Sequence, residues 1–133
     1  MKTLLNPPTL AKPSGYTHGI LTEGGRLLFI AGQTGLDASG RIVHPNDIVN
    51  QFRQVLANIQ TIVTAAGGQM TDIVRFTIYV TNKASYKANL KAIGEVYQTF
   101  FGKYYPAIAL VEVTSLWDAE AMIEIESMAI IGD

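Results

Sequence analysis

The chain is predicted to be a single α+β domain, with one mixed β-sheet carrying two helices packed on one face. Two observations predict it. Apolar residues recur at steps of three and four in two long segments, the period of amphipathic helices. The remaining apolar runs are short and β-prone, and they alternate with the helical segments only near the middle of the chain.

Pro7, Pro8 and Pro13 keep the lead-in extended. Short β-prone runs from Tyr16 to Leu21 and from Arg26 to Ala31 flank Glu23-Gly24-Gly25, which reads as a hairpin. Asp37-Ala38-Ser39-Gly40 is a second turn, expected to lead into a short strand at Arg41 to Val43. Ile48, Phe52, Val55, Leu56, Ile59, Ile62, Val63 and Ala66 then mark the first helix. Asn46 or Asp47 can cap its start, and Gly67-Gly68 suits a left-handed stop.

Ile73 to Val80 alternates Phe76, Ile78 and Val80 against Arg75, Thr77 and Tyr79, the pattern of a half-buried strand. The second helix is expected to start at a Ser85 cap and to show Leu90, Ile93, Val96, Tyr97, Phe100 and Phe101 on one face. Gly102 and Pro106 end it. Two strands close the chain, Ile108 to Val113 and Met122 to Ile131. With 133 residues and no linker or repeat, residues 1–133 read as one domain.

Composition narrows the function classes. Hydrophobic residues make up 48% of the chain and charged residues 16%, against a typical charged share of about 25%. So few charges leave apolar surface that an oligomer interface would absorb. Net charge is −1 and Lys or Arg never form a run, so no basic face for nucleic acid is expected. The absence of cysteine removes disulfides, thiolate nucleophiles and thiolate metal sites. No segment has the length of a membrane span or of a signal-peptide core, so a soluble cytoplasmic protein is expected.

Glu124 and Glu126 lie two residues apart on the last strand, on one face and about 7 Å apart. One of them could act as a general base or hold a water. The alternative is a pair of solvated charges, or charges paired with Arg75. Tyr16, after Ser14-Gly15, could orient a polar ligand group or serve as an amphipathic interface residue. His18 and His44 have no partner at metal-ligand spacing, and no metal is expected. Gly32, Gln33 and Gly35 follow an apolar strand without completing a phosphate-binding fingerprint, so no nucleotide or other cofactor is expected.

Several segments, taken in order, resemble the Rid proteins (reactive intermediate deaminases, also called the YjgF type). They include Gly15-Tyr16, Leu28-Phe29-Ile30-Ala31-Gly32-Gln33, Asp72-Ile73-Val74-Arg75-Phe76-Thr77, Pro106-Ala107 and Ile123-Glu124-Ile125-Glu126. The resemblance implies a chorismate-mutase-like fold and a homotrimer with small-molecule clefts between neighbouring subunits. It also implies the hydrolysis of a reactive enamine or imine to a carbonyl compound and ammonia. By the same resemblance, Glu124 is the glutamate that holds the attacking water, Tyr16 is the cleft tyrosine and Gln33 belongs to the turn beside the cleft.

Three cleft positions depart from the family pattern. Ile108 occupies the place of the arginine that clamps a substrate carboxylate, Ala31 that of a hydroxyl residue, and Leu110 that of a small polar or thiol residue. The second-helix asparagine has no clear match, because Val80 to Tyr97 runs about one helical turn longer than usual. The departures all replace polar groups by apolar ones, and an Ile desolvates any carboxylate set against it. The expected function is therefore imine hydrolysis with an altered, non-carboxylate substrate; the alternative is a non-catalytic, trimeric ligand-binding protein. Ribonuclease activity fits poorly with a chain that lacks a basic stripe.

Overall fold

The computed structural model describes residues 1–132. It contains strands β1 (Lys2–Leu5), β2 (Gly19–Thr22), β3 (Arg26–Gln33), β4 (Ile73–Val80), β5 (Ala107–Glu112) and β6 (Ile123–Ile131). Its helices are α1 (Ile48–Ala65), α2 (Lys83–Ala88) and α3 (Leu90–Phe101), with a short 3-10 turn at Met70–Asp72. Four strands form a mixed sheet in the order β3-β6-β4-β5, in which only β4 and β5 run parallel. A parallel pair needs a crossover, and α2 and α3 supply it.

The α+β class is the one the sequence predicts, but the hairpin is not. β2 pairs with the lead-in strand β1 in a separate two-stranded ribbon, and β3 pairs with β6. Gly24 and Gly25 do adopt positive φ, at 70° and 85°, yet the chain they turn passes from one sheet to the other. The strand expected at Arg41 to Val43 is reduced to one bridge, Leu36 to Ile42.

Helix α1 follows its predicted pattern. The Asp47 side chain accepts the Asn50 N–H at 3.1 Å, and that bond holds its carboxyl below the ordinary range. Gly67, at φ 82°, ends the helix, and the Gly68 N–H returns to the Val63 carbonyl. The second helical segment differs from expectation: it is split at Asn89 into α2 and α3, and α2 begins at Lys83. Its cap is Asn82, whose side chain accepts the Ser85 N–H, so Ser85 is capped rather than capping. The Glu112 carboxylate takes the Lys83 N–H at 2.7 Å, tying α2 to the end of β5.

One face of the four-stranded sheet is covered by α1 and α3. Phe52, Val55, Leu56 and Ile59 of α1 and Ile93, Val96 and Phe101 of α3 meet Phe76, Ile78 and Val80 of β4 and Ile123 and Ile125 of β6. Each such side chain contributes about 1.5–3 kcal/mol by leaving water. Among the described residues, no layer covers the opposite face. Phe29 is 70% exposed there, and its register partner Met128 shares that face.

Inside the core sits one polar side chain with full hydrogen bonding. Gln51 of α1 is completely buried; its amide donates to the His44 and Glu120 carbonyls, and its oxygen accepts the Met122 N–H at 2.8 Å. It thereby fastens the start of α1 to the chain entering β6.

Candidate functional site

A cavity of about 360 Å³ opens on the helix side of the sheet, between β4, β5 and the α2–α3 crossover. Ile108 and Leu110 of β5 form part of its floor, in register with Phe76 and Ile78 of β4. The segment Ser14-Gly15-Tyr16 closes one side. Its placement has a definite cause: the Thr17 N–H donates to the Pro106 carbonyl at 3.0 Å, and the Thr17 hydroxyl to the Tyr105 carbonyl at 2.5 Å. These two bonds bring Tyr16 against the head of β5.

The wall is strongly aromatic. Tyr97 stacks on Phe101 with ring centroids 4.4 Å apart, and on Tyr105 at 4.9 Å. Burial pushes the Tyr97 phenol far above its usual range, and the Tyr104 phenol up to about 12. Both hydroxyls donate to main-chain carbonyls, Tyr97 to Tyr104 and Tyr104 to Ile73. Tyr86 of α2 and Leu90 of α3 complete the rim, because the break at Asn89 carries both to the cavity. Among the described residues, no Lys, Arg, His, Asp or Glu side chain lines this space.

The residues singled out in the sequence divide into two groups. Tyr16, Ile108 and Leu110 share the cavity. Glu124 does not line it: it pairs in register with Tyr79, while its neighbour Ile125 pairs with Ile78, so the carboxylate lies on the opposite face of the sheet. There the β3–β6 register shifts between Ile30 and Gln33, and Gly32 falls within that bulge. The Glu124 side chain lies directly over Gly32, where an added Cβ would stand 1.9 Å from Oε2. Only a glycine leaves the carboxylate in this position.

Gln33 is half-buried at the same strand end, with its amide donating to the Ala31 carbonyl at 3.2 Å. Ala31 lines a second, shallower groove of about 530 Å³ on the outer sheet face, beside Phe29, Arg75, Thr77 and Glu126. Glu126 is exposed and takes the Tyr79 hydroxyl at 2.7 Å, so its partner is a phenol and not Arg75. His18 stands edge-on to Tyr16, and its ring nitrogen lies 2.7 Å from the Ala11 carbonyl, which ties the lead-in to the cavity side.

Sequence reading did not single out Tyr86, Tyr105 or Gln51. For Gln51 a signal was present, since it sits at helical spacing between Ile48 and Val55, on the apolar face. For Tyr86 and Tyr105 there was none, because aromatic residues at such spacings read as core.

Residues 9–131 match the family model described as Endoribonuclease L-PSP. The chain belongs to this family. Similarity to its members is extensive. A RutC family protein of Pyrococcus horikoshii is 36% identical over 97% of this chain and 98% of its own length. A Capra hircus protein named 2-iminobutanoate/2-iminopropanoate deaminase is 33% identical, covering 88% of this chain and 80% of its own. Among solved structures, a Rid family protein of unknown function from Yersinia pestis superposes with a TM-score of 0.87 at 35% identity, covering 98% of each chain. RidA from an Antarctic Psychrobacter superposes at 0.69 with 30% identity, covering 91% of this chain and 92% of its own. Among the described residues, no helix is long and apolar enough to cross a membrane.

Proposed function

We propose that the chain is a Rid-type hydrolase of imines or enamines whose substrate carries no carboxylate. The observation that carries the reading is the uncharged cavity around Ile108 and Leu110. A carboxylate moved there would lose its hydration and meet no cation, a cost of several kcal/mol by ordinary transfer estimates, ~2–7 even for neutral polar groups. The kinship with a protein named as an imine deaminase supplies the reaction class.

In this reading Glu124 holds a water and takes its proton as the water oxygen adds to the C=N carbon. Glu124 hands that proton to the nitrogen to give the carbinolamine, then carries the hydroxyl proton to the same nitrogen as the C–N bond breaks, releasing ammonia with a carbonyl compound. Tyr16 and Gln33 border the bound substrate, and Ala31, Ile108 and Leu110 give it apolar surroundings. Because Glu124 and the cavity lie on opposite faces of one sheet, a complete site takes its carboxylate from one subunit and its cavity from the next. The bare outer face, with Phe29 70% exposed and Leu27 50%, is suited to such self-assembly. A homotrimer is expected by sedimentation equilibrium at micromolar concentration; a monomer there would remove the shared site.

The discriminating assay is ammonia release from simple neutral imines beside 2-iminopropanoate. Neutral substrates should be turned over faster. Ile108→Arg should raise turnover of 2-iminopropanoate by about tenfold, the yield of one charge-assisted contact partly offset by burying an unpaired guanidinium. Efficient hydrolysis of 2-iminopropanoate by the unaltered chain would overturn the assignment of Ile108. Failure of every imine, with retention of a neutral ligand, would favour the second reading: a ligand-binding protein using the same uncharged cavity.

A further inference from the structure

The chain has six tyrosines. Three of their hydroxyls are committed within the fold: Tyr79 to Glu126, Tyr97 to the Tyr104 carbonyl, and Tyr104 to the Ile73 carbonyl. The other three, Tyr16, Tyr86 and Tyr105, have no hydroxyl partner among the described residues, and all three line the uncharged cavity.

Their positions are fixed by separate anchors. Tyr16 is set by the two Thr17 bonds to the Tyr105–Pro106 segment. Tyr105 is held face to face with Tyr97, the ring planes 3° apart. Tyr86 rides on α2, whose start is held by both Asn82 and Glu112. It is half-buried, and burial raises its phenol pKa, so near neutral pH the ring carries a proton to donate. A phenol can donate one hydrogen bond and accept others, and one with no partner in the protein is free to bond a ligand.

We propose that Tyr86 is a specificity-determining residue. With Tyr16 and Tyr105 it recognises a neutral hydrogen-bonding group, a carbonyl or an imine nitrogen, on a small ligand whose remainder is apolar. The inference rests on the cavity being the ligand site and narrows the substrate class to uncharged, acceptor-bearing compounds. Phenols can bond a neutral acceptor but cannot neutralise a carboxylate as a guanidinium does.

The test is binding, which separates it from turnover. Benzamide supplies a neutral acceptor on an apolar ring, toluene supplies the ring alone, and benzoate supplies a carboxylate. By calorimetry or ligand-observed NMR on the assembled protein, benzamide should bind more tightly than benzoate. Tyr86→Phe should weaken benzamide about tenfold while leaving toluene unchanged. Tyr105→Phe should weaken benzamide in the same direction, which guards against one variant disturbing the fold. Benzamide binding that is unaltered in Tyr86→Phe, or no tighter than benzoate in the parent, would overturn the proposal. If these dependences hold while no imine is hydrolysed, the phenol recognition stands and the hydrolase reading falls.

Discussion

Glu124→Gln should lower kcat on a neutral imine by at least about a hundredfold with little change in KM. The carboxamide keeps the shape of the side chain over Gly32 but cannot take a proton from water. Because Glu124 is assigned to the water and is not among the walls that hold the ligand, ligand binding should survive the change. Glu126→Gln is the internal comparison: that carboxylate is exposed and engaged by Tyr79, and its loss should cost only a few-fold. A milder version of the main effect is expected from Gly32→Ala, since the new Cβ would force the Glu124 carboxylate aside while the extended backbone there accepts alanine. Turnover by Glu124→Gln within a few-fold of the parent would sink the assignment of the water-holding role.

Gln51→Leu is expected to destabilise the domain by about 3–4 kcal/mol. Leucine fills nearly the same space, so no large cavity results, but the Met122 N–H and the carbonyls of His44 and Glu120 all lose a buried partner. Urea unfolding followed by circular dichroism measures it directly. A loss below about 1 kcal/mol would mean that water or a shifted loop replaces the amide. The effect should appear in stability first, because Gln51 lies away from the cavity walls.

Which parts of the fold could be read in the sequence follows from how local their causes are. Helix α1 and strands β4 and β6 each carry their burial pattern within one segment; the structure keeps it in the strands and, in α1, at Ile48, Phe52, Val55, Leu56, Ile59 and Val63, with Gln51 added and Ile62 half-buried. The Gly24-Gly25 turn was equally visible, but a turn says nothing about which partner its flanking strands choose. That choice was made by Lys2–Leu5 for β2 and by β6 for β3, both distant in sequence. The break at Asn89 was hidden because Tyr86, Leu90, Ile93 and Tyr97 keep steps of four, three and four across it. In the candidate site, Ile108, Leu110 and Tyr16 come together because register and two Thr17 bonds put them there. The unpartnered phenols could not be read, since a hydroxyl lacks a partner only relative to a complete fold.

The two-residue period of a strand has a consequence for how such a protein diversifies. Ile108 and Leu110 point to one face of the sheet and Glu124 to the other, so their side chains never share packing within a subunit. Substitutions that reshape the cavity can therefore accumulate without disturbing the carboxylate, and the carboxylate can be lost without collapsing the cavity. On the proposed assignment of Glu124 and the cavity, ligand preference and reactivity are separable traits. A lineage built on this sheet can change what it holds long before it changes, or abandons, what it does to it.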